Sequence, residues 1–252
     1  MFKVNNQQIV MNILELNRRL CYDLWHVASE KNQENFTIQS MSPRIIFPVK
    51  RDGNIRVSEQ EARFLMCTIL NNTNYFYSVE TPTENTYNFS ENNTNYNNKE
   101  NSENQRSACT DLTLWRYIDS KFEKIANIEF KSHNPSPAHI VKDIKKLVKE
   151  NITGNWFHVF KNIDSGTLKS LFEKFKSSFN NNINLQMVKH DIVFTICVLE
   201  KKWACQNVLN YMSDLDNFFN LEYKVSDNVV EVQNLDKSGW IVFQDNSYLL
   251  TN

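Results

Sequence analysis

The succession of hydrophobic patterns along the chain predicts an α/β protein: a mixed central β-sheet flanked by helices. Three observations carry that expectation. Residues 108–115 and 125–131 both alternate apolar with polar side chains, and the turn-prone Asp119-Ser120-Lys121 lies between them, the signature of two antiparallel neighbours. An amphipathic helical stretch and then the unbroken apolar run 156–160 follow, so a helix connects these strands to a buried one. Only 4 glycines and 5 prolines punctuate 252 residues, too few for the many positive-φ turns of sandwiches and propellers.

The elements follow in order. Ile9, Ile13, Leu16, Leu20, Leu24 and Val27 recur at three- and four-residue steps, which places an opening helix over 8–28. The β-prone runs 36–39 and 45–49 are divided by Ser42-Pro43 and closed by Asp52-Gly53, giving a strand-turn-strand or an extended arm. Ser58-Glu59-Gln60-Glu61 is a capping-box pattern, and a second helix runs from it to about Leu70. Residues 75–80 read as a strand that Pro82 ends. Residues 84–105 hold nine asparagines in 22 positions and few aromatic residues, too little apolar surface to offset the entropy of ordering, so they read as a mobile insertion. After Pro135-Ser136-Pro137, Val141, Ile144 and Val148 line one side of a helix while Lys142, Lys145, Lys146 and Lys149 line the other. A further helix carries Leu168, Leu171, Phe172, Phe175 and Phe179. Beyond 180–184, residues 187–199 read as a strand, 203–219 as a weaker helix, and 221–232 with 240–243 as a terminal hairpin. The expected organisation is therefore an N-terminal helix and arm (1–57), a core (58–180) with the insertion at 84–105, and a C-terminal α+β extension (181–252).

Composition narrows the function. With 28 Lys+Arg against 29 Asp+Glu, the chain is not a bulk polyelectrolyte binder, and 41% hydrophobic residues supply a core. No Gly-x-Gly-x-x-Gly, Gly-Lys-Ser/Thr or Gly-flanked Ser pattern occurs, so dinucleotide, phosphate-loop and acyl-hydrolase chemistry lack support. The five cysteines are odd in number and never spaced Cys-x-x-Cys, and no two histidines stand at His-x-x-x-His, which disfavours disulfides and zinc. No apolar run is long enough to span a bilayer, and a cytoplasmic location is expected. Residues 121–176 contain 11 lysines against 6 acids, whereas the remainder has 17 basic against 23 acidic residues.

Asp111 and Glu129 each interrupt an apolar strand pattern, and a strand's period of two puts Lys131 on the same face as Glu129. If these strands pair as a hairpin, two carboxylates and an ammonium meet at one spot, a costly cluster that a hard divalent cation would justify. Plainer readings stand beside this one: Glu61 completes a capping box, Glu80 is a strand-end charge and at most a reserve ligand, and Glu129 with Lys131 is a surface ion pair.

Asp111 on one strand and Glu129-Phe130-Lys131 on the next resemble the PD-(D/E)xK, or restriction-endonuclease-like, nucleases, over about residues 58–180. Thr110 stands where the family name has Pro. The resemblance implies a restriction-endonuclease-like core in which Asp111 and Glu129 hold Mg²⁺ or Mn²⁺, Lys131 acts on the attacking water, and a preceding-helix acid, Glu61 or Glu59, adds an outer or second-metal ligand. It implies a DNA endonuclease of restriction, repair or defence type, commonly dimeric. Lys142, Lys145, Lys146 and Lys149, with Ser132 and Asn134, would meet phosphates. The competing expectation is an inactive nucleic-acid-binding or assembly module with the same fold.

Overall fold

In the computed structural model, residues 6–29, 45–87, 106–183, 188–226 and 229–245 are described. They form a seven-stranded mixed sheet flanked by helices, in the strand order β1-β2-β3-β4-β5-β6-β9, plus a two-stranded hairpin. The elements are α1 (Asn6–Ser29), α2 (Glu59–Leu70), β1 (Phe76–Tyr87), β2 (Arg106–Ile118), β3 (Lys121–Ser132), α3 (Pro137–Lys149), β4 (Thr153–Phe160) and α4 (Thr167–Asn182). They continue with β5 (Ile192–Val198), β6 (Trp203–Leu209), α5 (Leu215–Phe218), β7 (Tyr223–Val225), β8 (Val230–Val232), α6 (Leu235–Ser238) and β9 (Ile241–Gln244). β1, β2 and β3 pair antiparallel, β3, β4 and β5 pair parallel, and β5, β6 and β9 return to antiparallel.

The sheet separates two cores. On one side α1 and α2 bury Leu20, Leu24, Leu65 and Ile69 against Leu112, Leu114, Ile128, Phe130 and Phe157. On the other, α3 and α4 bury Ile144, Leu147, Phe172 and Phe175 against Trp156, Phe194 and Ile196. β4 feeds both cores, with Phe157 on one side and Trp156 on the other, which is why it reads as a continuous apolar run rather than an alternation. Helix α3 closes tightly on β4 at Gly154, where an added Cβ would lie 3.2 Å from the Leu147 Cβ. Polar locks fix α1: Asn17 Nδ2 donates to Asn155 Oδ1 at 2.9 Å and to Thr195 Oγ1 at 2.8 Å, all buried.

Several sequence expectations need correction. The strand at 75–80 does not stop at Pro82 but runs to Tyr87, because β1 is an edge strand where a missing N–H breaks no inner ladder. An irregularity between Pro82 and Thr86 and a positive φ at Glu80 absorb the misfit. Part of the proposed insertion, 84–87, therefore belongs to β1, while 88–105 lies outside the described residues, as does the run 36–39. The run 45–49 forms only an isolated bridge, Val49 with Ile55. Residues 203–219 are not a helix: β6 occupies 203–209 between β5 and β9, followed by the one-turn α5. The region 240–243 joins no terminal hairpin, since β9 pairs with β6, and β7 pairs with β8 alone. β5, β6 and β9 thus complete the same sheet that carries β2 and β3.

Candidate functional site

The β2–β3 ladder pairs Thr113 with Asn127 and Leu112 with Ile128; continued by one residue, it sets Asp111 opposite Glu129. There the ladder ends, because Asp111 Oδ2 accepts the Phe130 backbone N–H at 2.7 Å, and β3 goes on to pair with β4 through Lys131 and His158. Leu112, Ile128 and Phe130 belong to the α1/α2 core, so Asp111, Glu129 and Lys131, which alternate with them, all face the α3 side. Sequence reasoning asked whether these three groups share a face, and they do.

Helix α3 brings in two more charged groups. Asp143 takes Lys131 Nζ on Oδ2 at 2.9 Å and Lys146 Nζ on Oδ1 at 2.8 Å. Lys146 Nζ also lies 2.5 Å from Glu129 Oε1 and donates to the Cys109 carbonyl at 2.9 Å. Glu129 is fully buried, and its Oε2 has no hydrogen-bond partner. Lys131 and Asp111 are part-exposed, so the cluster opens to solvent at their edge. Burial, reinforced by Asp143 and Asp111 and opposed by Lys146, pushes the Glu129 carboxyl well above the usual carboxylate range. Burial also acts on Asp143, but Lys131 and Lys146 outweigh it and hold that carboxyl low. Burial alone would lower Lys131; Asp143, Asp111 and Glu129 reverse the effect and keep it a firm cation.

Of the two candidate helix acids, Glu61 is used locally. It accepts the Ser58 N–H at 3.2 Å and the Ser58 hydroxyl, completing the capping box. Glu59 is the one in electrostatic reach of the cluster: burial raises its carboxyl, Lys131 opposes, and Asp111 and Asp143 add to the rise. The expectation that Glu61 serves the site gives way to Glu59, since the cap fixes Glu61 against its own helix terminus. Glu80 pairs with Arg63 at the surface.

The proposed phosphate-contacting lysines do not share one environment. Lys142 and Lys149 are exposed and Lys145 is half-buried, but Lys146 is buried at 4% exposure inside the ion-pair cluster. Lys149 lies over the Tyr87 ring at 5.6 Å. Ser132 is half-buried at the end of β3, and Asn134, exposed, is held by Lys174. Asp143 and Lys146 are the site residues sequence reasoning missed or misplaced. The signal was present: Asp143 falls at an i, i+3, i+7 slot with Ile140 and Leu147, an acid in an apolar stripe.

The segment after Lys131 is pinned from two directions. The His133 ring meets the Val57 carbonyl at 2.6 Å, and the His158 ring meets the His133 carbonyl at 2.7 Å. Burial drives His158 down to about 3, so it stays neutral and structural.

As donors, the carboxylates fit a hard divalent cation in kind: two acids across a strand pair, with a buried orphan oxygen on Glu129. Among the described residues, however, no three His, Cys, Asp or Glu side chains form a group that could hold a metal ion. The ammonium groups of Lys131 and Lys146 stand between the acids instead. No family model, curated protein or solved structure matches the chain. Among the described residues no helix is long and apolar enough to cross a membrane.

Proposed function

We propose that the protein is a Mg²⁺- or Mn²⁺-dependent phosphodiester hydrolase acting on nucleic acid in the cytoplasm, with DNA the substrate. The observation that supports this is the gathering of Asp111, Glu129 and Lys131 on one face where β2 and β3 part, with one buried Glu129 oxygen unpartnered. Asp111 and Glu129 would hold the ion, which supplies charge neutralisation and Lewis-acid polarisation of a phosphoryl oxygen. The chain's own groups do the rest. Asp143 fixes the Lys131 ammonium, and because Lys131 is held as a cation, its part is to orient water and neutralise phosphoryl charge, not to accept a proton. Exposed Lys142 and Lys149 would steer the phosphate backbone. The likeness to PD-(D/E)xK nucleases supports the same assignment and brings with it a dimer as the working form.

A second reading is favoured by one observation: Lys146 already neutralises Glu129, as it would in a nucleic-acid-binding module that has lost catalysis. The two separate in one experiment. The purified full chain, given Mg²⁺ or Mn²⁺, is expected to nick plasmid DNA, and Asp111→Ala or Lys131→Ala to lower the rate by about a hundredfold or more. Magnesium calorimetry is expected to show binding that Asp111→Ala removes. DNA binding without cleavage, unaltered by either substitution, would establish the module and end the hydrolase reading.

A further inference from the structure

The β2–β3 hairpin carries a cluster of rings that none of the described elements covers. Leu114 faces α1 and α2, so Trp115, the next residue, faces the α3 side of the sheet. Phe76 pairs with Trp115, Ser78 Oγ accepts the Trp115 indole N–H at 2.8 Å, and the Lys124 ammonium lies over the Trp115 ring at 5.5 Å, which places all of them on that side. Two residues further along each strand, Tyr117 opposes Phe122. Phe76, Tyr117 and Phe122 are 50%, 57% and 56% exposed, yet Phe122 braces the other two rings at 5.0 Å and 4.9 Å between centroids. Rings held in place in water offer preset faces to a flat partner.

The charge beside the rings specifies the partner. Glu84 reaches Lys124 at 3.1 Å, and its backbone N–H donates to Glu150 Oε2 at 2.9 Å, so the rings adjoin the C-terminal end of α3. Lys149 stands there over the Tyr87 ring, and Lys145 and Lys142 continue the stripe along the outer side of α3, a helix about 20 Å long, to the end where Asp143 holds Lys131. Burial, with Lys149 adding to it, lowers the Lys145 ammonium, so two like charges stand one helical turn apart. The neighbouring acids are engaged: Glu150 is buried on the Glu84 and Asn85 N–H groups and the Tyr87 hydroxyl, Glu84 meets Lys124, and Glu123 pairs with Arg116, which faces the other side of the sheet. Ring faces next to a line of ammonium groups fit a polyanion whose flat bases are free to stack, which is a nucleic acid single strand; in a duplex the bases already stack on each other.

We propose that this side of the hairpin and the outer face of α3 together bind single-stranded nucleic acid, bases stacking on Phe76, Tyr117 and Phe122 while phosphates follow Lys124, Lys149, Lys145 and Lys142. The inference rests on the nucleic-acid reading above, whose strand form it names, and not on cleavage. The full chain in EDTA is titrated into a fluorescein-labelled oligothymidylate of about 15 nucleotides and into the same strand paired with its complement, followed by anisotropy at ~50 mM salt. The single strand is expected to bind at about 10 μM or tighter, and the duplex at least about tenfold more weakly. Tyr117→Ala and Phe122→Ala should each weaken the single strand by about fivefold or more. Both rings are exposed, so circular dichroism should not change. Lys149→Gln, with the rings intact, should reduce the slope of log affinity against log salt by about 0.7. Equal affinity for the duplex overturns the proposal, as does wild-type affinity in both ring variants or no saturation by ~100 μM protein. So does a dimer, seen by sedimentation, that Phe122→Ala dissolves, because the rings then serve a second copy of the chain. With metal chelated, a failure to cut plasmid leaves single-strand binding standing, whereas plasmid cutting by a chain without single-strand preference removes this inference alone.

Discussion

Lys146→Met tests what holds α3 onto the sheet. Glu129 is fully buried and, among the described residues, pairs with no cation but Lys146; burial already holds its carboxyl well above the usual range, and removing that ammonium takes away the charge that opposes the rise. Protonating a glutamate of ordinary value ~4.3 at pH 7 costs about 3.7 kcal/mol, at ~1.4 kcal/mol per unit, and because the wild type already carries part of that penalty this figure is the ceiling on the charge component. Losing the 2.9 Å bond from Lys146 Nζ to the Cys109 carbonyl adds about 1 kcal/mol. Asp143 keeps Lys131 as a partner, and methionine refills the volume of the lysine stem, so neither enlarges the loss. The total is therefore bounded at about 4–5 kcal/mol at pH 7, the range for breaking one side of a buried pair. The variant's folded Glu129 value stands above that of the wild type, which itself stands above the unfolded one, so the charge component is largest at high pH and disappears as pH falls through the wild-type folded value. Urea unfolding followed by tryptophan fluorescence at pH 5, 6 and 7 measures this. The double variant Glu129→Gln/Lys146→Met should recover most of the charge component. A deficit under about 1 kcal/mol at pH 7, or one equal at pH 5 and pH 7, would refute the reasoning.

Two further outcomes follow from named contacts. Glu61→Ala should cost about 1 kcal/mol through loss of the capping box, whereas Glu59→Gln should leave stability at pH 7 unchanged or raise it by less than about 1 kcal/mol, because neutralising a half-buried carboxyl held above its usual range relieves a penalty; thermal melts of the two variants separate them. Gly154→Ala should destabilise by about 1–3 kcal/mol, since its Cβ would press on the Leu147 Cβ and the Ile192 side chain at 3.2 Å, and a denaturation midpoint that did not fall would show that α3 can retreat.

Most of the architecture from α1 to α4 was legible because its periods are clean. The alternations around Asp111 and Glu129, the capping box at Ser58 and the stripe of α4 each point to one element. The C-terminal third was less legible for a physical reason. β6 is buried along most of its length, between β5 and β9, so Trp203-Ala204-Cys205 shows no inside-outside alternation, and only its partners reveal it as a strand. Pro82 misled for the opposite reason: at a sheet edge a residue that normally ends strands breaks no inner ladder.

At the candidate site, pairwise proximity was legible and charge balance was not. A period of two brought Asp111, Glu129 and Lys131 to one face, but it cannot say which cation neutralises which acid. That depends on where α3 crosses β3, a tertiary fact. Lys146 looks like a member of the solvent stripe with Lys142, Lys145 and Lys149, yet at ~100° per residue it stands about 60° from Asp143, at the border between stripe and core. Border positions are where a long lysine stem can swing inward. Here it does, and the cluster of acids that suggests a metal is held together by an ammonium from the helix above it. The two functional readings therefore differ on one physical point: whether a divalent ion competes with Lys146 for Glu129. Metal binding that tightens in Lys146→Met, with Glu129 left without its cation, is what the hydrolase reading requires, and binding indifferent to that substitution is what the module requires.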